Sequence, residues 1–217
     1  MQSQPDATTR LGGWLFRHRT ALPLPVAVAI LAARFGEAPA STGLAAAGVA
    51  VTLSGEWLRL WGVHHVGVIS RTRSDRLGPL VASGPFARVR NPLYIGNILL
   101  WMGFALSARI VWLAPMIAVL LGAEYHAIVR WEERLLESRL GDAYRAYTAR
   151  VPRWLPKLNR GETGSPIGDR AIGDVVSSAP SASAAVAFSW TATLFSERGT
   201  LLAIAAGYLL LWIKAQR

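Results

Sequence analysis

The fold is decided by Ser83-Gly84-Pro85-Phe86-Ala87-Arg88-Val89-Arg90-Asn91-Pro92-Leu93-Tyr94-Ile95-Gly96 and by a second stretch that starts at Glu132-Glu133 and ends at Val151-Pro152-Arg153-Trp154-Leu155-Pro156. We call residues 83–96 the first motif and residues 132–156 the second motif. Two apolar blocks, 93–106 and 110–129, lie between their charged groups and are joined by only Ser107-Ala108-Arg109. So short a joint predicts an antiparallel helical hairpin, which brings both motifs to one membrane surface and indicates a site there.

The composition is that of a membrane protein. The chain has 217 residues, of which 52% are hydrophobic and only 17% charged, and the apolar residues come in blocks. We therefore expect an all-α, multi-pass membrane helical bundle. The net charge of +10 would suggest nucleic-acid binding in a soluble protein, but most basic residues lie between apolar blocks, where orientation and lipid headgroups explain them better. The absence of cysteine excludes disulfides and cysteine-based metal sites.

About five spans are predicted, at residues 21–35, 43–63, 93–106, 110–129 and 201–213. The first arm of the hairpin is short, because its fourteen residues rise about 21 Å as a helix against a hydrocarbon core of roughly 30 Å. Residues 186–195 form a weaker apolar run, either an interfacial helix or a short outward arm that returns through 201–213. Lys214 and Arg217 favour the returning arm, since the chain then ends in the cytoplasm.

Composition divides the chain into four parts. These are a cytoplasmic N-terminus (1–20), a membrane domain (21–156), a linker rich in Gly, Ser, Ala and Pro (157–185), and a C-terminal interfacial or transmembrane segment (186–217). Basic residues concentrate in three regions, so the positive-inside rule places the N-terminus, residues 64–92 and residues 130–185 in the cytoplasm. A pocket formed by the two motifs would therefore face the cytoplasm.

The first motif leads into a helix. Pro92 suits the first helical turn, where its missing N–H is not needed, and Asn91 suits the N-cap. One interpretation is simply loop, cap and helix start. The other is that the free N–H groups of this helix start, with Arg88 and Arg90, bind a carboxylate or another anion.

Two glycines on the first arm of the hairpin, Gly96 and Gly103, are seven residues apart and share a helix face. They indicate either close packing against another helix or room for a flat ligand. In the preceding span Glu56 and Arg59 are three apart and are expected to pair within the helix. His64 and His65 diverge on a helix without a third ligand in register, so no metal site is predicted.

The carboxylates of the second motif are adjacent on a helix. They point about 100° apart and cannot share one proton. Glu133 shares a stripe with His126, and Glu132 shares one with Tyr125. A charge run at the end of a span is often only a solvated face. Glu124 and His126, however, lie in or near the span, where ionisable groups usually face a cavity or a partner.

Together these residues resemble the isoprenylcysteine carboxyl methyltransferase family and its phospholipid N-methyltransferase relatives. The family pattern is Gly-Pro-aromatic, Arg-His-Pro-x-Tyr-x-Gly, a helical hairpin, Glu-Glu, Tyr-x-x-Tyr and Val-Pro-Arg-x-x-Pro. The chain supplies these in order as Gly84-Pro85-Phe86, Arg90-Asn91-Pro92-Leu93-Tyr94-Ile95-Gly96, Glu132-Glu133, Tyr144-Arg145-Ala146-Tyr147 and Val151-Pro152-Arg153-Trp154-Leu155-Pro156, with Arg59-Leu60-Trp61 also similar. The resemblance covers about residues 43–156.

The resemblance implies an integral membrane enzyme that uses S-adenosylmethionine. Glu132 or Glu133 would bind the cofactor's ammonium or ribose hydroxyls, and Arg90 with the helix start would hold its carboxylate. Aromatic rings of the motifs would pack on the adenine or near the sulfonium. The implied cofactor-binding set is Arg90, Asn91, Pro92, Tyr94, Gly96, His126, Glu132, Glu133 and Tyr147, and the implied catalytic residues are Arg153, which would orient an anionic acceptor, and Glu133.

Two departures from the family pattern matter. Asn91 replaces the family histidine, so binding is expected there without acid–base chemistry. The chain also continues about 60 residues past Pro156, where many relatives stop. The expected function is methyl transfer to a lipophilic or small acceptor arriving from the bilayer, whether a carboxylate, an amine or a thiol. The alternatives are a non-catalytic scaffold or lipid-binding module of the same fold and, less favoured, a small transporter.

Overall fold

The computed structural model describes residues 7–19, 21, 23–67, 80–156 and 189–216. Throughout these residues the regular structure is helical, as predicted for an all-α bundle. A 3₁₀ turn at Gly84–Ala87 precedes the hairpin. The α-helices are α1 (Ala7–His18), α2 (Leu24–Ala32), α3 (Thr42–Val66), α4 (Pro92–Ser107), α5 (Leu113–Leu140), α6 (Asp142–Arg150) and α7 (Trp190–Ala215).

The hairpin of α4 and α5 is confirmed. Arg109 closes the turn with a left-handed φ of 64°, and the amide of Ile110 donates to the carbonyl of Ala105 over 2.9 Å. Ile110, Leu113 and Ile117 are fully buried beside this turn, so apolar packing holds the two arms together. The first arm is short, as expected, with 16 residues against 28 in α5.

Close packing of α3 on α4 accounts for the glycines of the first arm. A Cβ atom on Gly96 would lie 2.7 Å from the carbonyl oxygen of Gly55, and one on Gly103 would lie 2.7 Å from that of Gly48. Backbone atoms cannot yield at such distances, so only glycine fits there. The close-packing interpretation is therefore confirmed. The alternative of room for a flat ligand at Gly96 is wrong, because α3 fills that space.

The C-terminal segment differs from its prediction. Residues 190–215 form one unbroken helix, α7, so the short arm that returns near residue 200 is wrong. At the motif end of the bundle the imidazole Nδ1 of His64 lies 3.2 Å from the hydroxyl of Thr193. At the opposite end Lys214 and Arg109 both pair with Glu37, each over 2.9 Å. Lys214 therefore lies at the end of the bundle away from the motifs and not beside them, where the returning arm would have placed it.

Two helices of the described residues, α5 and α7, are long and apolar enough to cross a membrane by length and composition. Each reaches a mean hydropathy of 1.3, while α4 is a shorter apolar helix. Along α7 most side chains are exposed, including Leu202 and Trp212, a pattern typical of a helix that faces lipid. Two of the five predicted spans are therefore supported by length and hydropathy. Helix α2 has nine residues and rises only about 14 Å, which is too short to cross a bilayer as a helix. The predicted linker 157–185 lies outside the described residues.

Helix α1 packs on α5 near the second motif. The rings of Phe16 and Trp131 are 4.8 Å apart, and Phe16 is buried while Leu11 and Trp14 stay exposed. One face of α1 is therefore apolar and fixed to α5, and the chain that follows it is held beside the hairpin. This placement matters for Arg19, which comes directly after α1.

Candidate functional site

The two motifs meet through their backbones and through Asn91. The amide of Arg90 donates to the carbonyl of Pro152 over 2.9 Å, and the Asn91 side-chain amide donates to the carbonyl of Arg153 over 3.0 Å. Asn91 occupies the N-cap position of α4, but its side chain makes no capping hydrogen bond. The prediction of a side-chain cap is thus wrong, and the amide ties the two motifs together instead. An acid–base role was not expected of it.

Glu133 lies between two arginines, one from each motif. Its Oε1 is 2.8 Å from Nη1 of Arg90, and its two oxygens accept from Nε and Nη2 of Arg153 over 3.1 and 2.5 Å. This hydrogen bonding raises the pKa of Arg153, so its guanidinium stays charged. A fork-shaped contact of this kind fixes orientation as well as charge. Both sides of the site are therefore held by a single carboxylate.

Glu132 turns the other way, into the hairpin. Its Oε2 accepts a hydrogen bond from the hydroxyl of Tyr94 over 3.0 Å, and the rings of Tyr94 and Tyr125 stack with centroids 4.6 Å apart. The adjacent carboxylates thus diverge as predicted, and the expected stripe of Glu132 with Tyr125 is seen. One carboxylate organises the arginines and the other organises the tyrosines.

Helix α6 holds the second motif against the first. The hydroxyl of Tyr147 donates to the carbonyl of Phe86 over 2.8 Å, and Tyr144, Tyr147 and Val151 form a small buried cluster. Burial raises the pKa of both phenols, so they stay neutral donors. The structure therefore gives Tyr147 a supporting contact with the first motif, and its contact with a cofactor stays a prediction.

The remaining predicted residues flank this centre. Pro92 is buried in the first turn of α4, as expected. His126 is partly buried on α5, and its ring faces that of Trp154 with centroids 6.4 Å apart. Glu124 lies earlier on α5 than the glutamate pair, and one of its carboxylate oxygens is buried without a hydrogen-bond partner. Gly96 faces α3 and lies outside the group.

Sequence reasoning missed two features. Arg59 pairs with Glu56 at 3.4 Å, as predicted, but it also binds Glu197 of α7 at 2.6 Å and contacts Asn97 and Thr200. A lone carboxylate in an apolar C-terminal helix was the signal for this contact. Arg19, counted from the sequence only among the basic residues of the N-terminus, contributes positive charge to the surroundings of Tyr94 and Glu132.

The arrangement defines a class of protein. It combines a helical hairpin, two diverging carboxylates and two arginines. Residues 44–143 match the family model described as phospholipid methyltransferase. The match includes the whole of the first motif, the hairpin and the glutamate pair. The resemblance noted from the motifs is therefore confirmed over this segment.

Two curated proteins are similar to this chain over most of its length. The chain is 28% identical over 173 residues to the cobalt-zinc-cadmium resistance protein CzcN of Cupriavidus metallidurans, covering 74% of this chain and 76% of that protein. It is 28% identical over 159 residues to the nickel-cobalt-cadmium resistance protein NccN of Alcaligenes xylosoxydans xylosoxydans, covering 70% and 71%. No solved structure matches. Among the described residues no three His, Asp or Glu side chains are grouped to hold a metal ion.

Proposed function

We propose that the protein is a membrane-embedded methyltransferase that uses S-adenosylmethionine, with its cofactor site at the junction of the two motifs. The observation that carries the proposal is the pair of contacts made by neighbouring carboxylates: Glu133 holds Arg90 and Arg153, while Glu132 holds Tyr94. The family match over residues 44–143 supports the reaction type. In this proposal the protein is multi-pass and the site faces the cytoplasm.

The residues present fit this cofactor. It carries an ammonium, a carboxylate and a sulfonium, and the site offers carboxylates, guanidiniums and tyrosine rings. One nitrogen of Arg90, Nε, is buried without a hydrogen-bond partner, which leaves a donor for a ligand. Glu132 is proposed to accept from the ammonium. Because Arg90 already pairs with Glu133, its proposed part is mainly to keep the motifs in register.

When bound, S-adenosylmethionine supplies a methyl group that is electrophilic at carbon. The chain's part is to align an acceptor in line with that methyl and to exclude water. The side chain of Arg153 is 33% exposed while it is paired with Glu133, so it can also orient an anionic acceptor. Both oxygens of Glu133 already accept hydrogen bonds, and its proposed role is to position Arg153.

The acceptor is proposed to be lipophilic or small and to reach the site from the bilayer. The candidates are a carboxylate of the prenylcysteine kind, a phospholipid amine and a small apolar thiol. The names of the two relatives connect those proteins with metal resistance and mention no acceptor. Mass spectrometry of lipid extracts and of headspace gas after incubation with labelled cofactor distinguishes the candidates.

Calorimetry of the purified protein in detergent tests the cofactor site. We expect the wild type to bind S-adenosylmethionine. The variants Glu133→Ala and Arg90→Ala should lose at least about tenfold in affinity, because each removes a charge-assisted contact that holds the two motifs together. Arg145→Ala is the matched control, since this arginine pairs with carboxylates on the exposed face of α6. Equal affinity in all four proteins would refute the assignment. Binding without transfer of labelled methyl would favour a scaffold.

A further inference from the structure

Arg19 is a third arginine at the site, supplied by the connection between α1 and α2. Its guanidinium lies over the ring of Phe16 at 3.9 Å, and its Nη1 is buried without a hydrogen-bond partner. Its positive charge acts on both Tyr94 and Glu132. A buried guanidinium nitrogen with no acceptor is unfavourable unless something else satisfies it, so this donor points to a ligand.

The position of Arg19 is set by packing. Phe16, which carries the guanidinium on its ring, is itself held against Trp131 of α5 at 4.8 Å. Trp131 directly precedes Glu132 in the chain. The same contact that docks α1 therefore holds Arg19 near this end of α5, where its charge acts on Tyr94 and Glu132.

The three arginines differ in what they still offer. Arg153 uses two nitrogens on Glu133, and Arg90 uses one on the same carboxylate. Nη1 of Arg19 has no hydrogen-bond partner, and Oε2 of Glu132 accepts from Tyr94. The unpartnered Nη1 of Arg19 therefore lies within electrostatic range of a carboxylate that has a second oxygen. A guanidinium near a carboxylate matches a molecule that carries a carboxylate and an ammonium on one carbon, because each group meets the opposite charge.

We propose that Arg19 and Glu132 form the subsite for the amino-acid end of the cofactor, with Arg19 binding the carboxylate and Glu132 the ammonium. This inference rests on the proposed function, because it presumes S-adenosylmethionine as the ligand. It adds a residue from outside the segment that matches the methyltransferase family, since that match begins at residue 44. Helix α1 thereby becomes part of the site.

The test compares two ligands, S-adenosylmethionine and its decarboxylated analogue, on the full-length protein by calorimetry. For the wild type we expect the analogue to bind about 10- to 100-fold more weakly, as loss of a charge-assisted contact predicts. Arg19→Ala should weaken S-adenosylmethionine to the same degree and leave the analogue unchanged. Arg19→Lys should recover part of the loss, because the charge is kept while the fork is lost.

The matched control is Arg17→Ala, whose side chain is exposed at the end of α1. It should bind both ligands like the wild type, and the thermal midpoints of all variants report on folding. The inference is overturned when Arg19→Ala weakens both ligands equally or neither. It is also overturned when Arg19→Ala changes only binding to nanodiscs of anionic lipid, which would assign Arg19 to a lipid phosphate. A wild type that binds neither ligand would instead refute the proposed function.

Discussion

Two arginine–glutamate networks lie in this bundle, and their surroundings differ. At the junction of the motifs, Glu133 faces Arg90 and Arg153, and the three side chains are 15%, 15% and 33% exposed. Between α3 and α7, Arg59 faces Glu56 and Glu197, and these side chains are 14%, 5% and 2% exposed. The first network reaches solvent through Arg153, whereas the carboxylates of the second are closed off from it.

The difference teaches what each network can do. A network at the surface can exchange partners, so a ligand can compete for its arginines at modest cost. A closed network is costly to open, because removal of one partner leaves a charge uncompensated in an apolar surrounding. We therefore assign binding to the network at the motifs. The network of Arg59 instead fastens α7 to α3 and α4 across a sequence separation of more than a hundred residues.

Arg59→Ala has the largest expected effect. It removes the guanidinium that Glu56 and Glu197 share, and we expect a loss of about 3–5 kcal/mol in the free energy of unfolding. The thermal midpoint in detergent checks this, with Arg145→Ala as the control, since the side chain of Arg145 is 57% exposed and its loss should leave the midpoint unchanged. A midpoint equal to that of the wild type in Arg59→Ala would remove the distinction between the two networks.

Gly96→Ala on α4 would disturb the same closed network, because Gly96 packs against Arg59. The added Cβ atom would lie 2.6 Å from Cγ of Arg59 and 2.7 Å from the carbonyl oxygen of Gly55, so α3 and α4 must separate. We expect a destabilisation of about 1–3 kcal/mol. Gly122→Ala on α5 is the control, because no atom lies within 4 Å of its added Cβ, and it should gain up to about 1 kcal/mol from helix propensity. Equal midpoints for the two variants would contradict the packing described for α3 and α4.

Asn91→Ala tests the link between the motifs. It removes the hydrogen bond to the carbonyl of Arg153, and we expect a loss of about 1 kcal/mol in stability together with weaker binding of S-adenosylmethionine, because Arg153 is less well positioned. Thermal midpoints and calorimetry on the same preparations measure both effects. Asn91→His restores the residue of the family pattern and should keep binding. If Asn91→Ala binds the cofactor like the wild type, the link does not position the site.

The smallest expected effect concerns a third cluster, at the end of the bundle away from the motifs. The hydrogen bond from Lys214 holds the pKa of Glu37 below its ordinary value of 4.5. A lowered pKa means that the pairing stabilises the fold fully above about pH 4.5 and that this contribution is lost as the pH falls through the folded-state value. Thermal midpoints of the wild type and Glu37→Gln from pH 7 to pH 3 should converge at the acid end. Parallel curves would show that Glu37 contributes nothing.

The hairpin and the divergence of the glutamates could be predicted because they follow from local rules. A three-residue joint between apolar blocks leaves little choice but an antiparallel pair, and a helix turns adjacent side chains by about 100°. The resemblance of the motifs to a methyltransferase family rests on the same short stretches. Residues within one or two helical turns of each other therefore carried most of the correct inferences.

The rest depends on long-range packing, which spacing does not reveal. The local sequence suits Asn91 as a helix cap, but its side-chain amide donates to the carbonyl of Arg153, which is distant in sequence. Glu197 finds Arg59 only because α7 runs beside α3. The direction of α7 itself was misread from Lys214, since a cation at a helix end satisfies the last carbonyls of α2 and Glu37 here and does not report the side of the membrane.

The opposite placement of α1 and Lys214 has a practical consequence. Helix α7 begins beside His64 at the motif end of the bundle and ends beside Glu37, so its last residues lie away from Glu132 and Glu133. An affinity handle fused after Ala215 would leave the mouth of the site free for ligands during immobilised measurements.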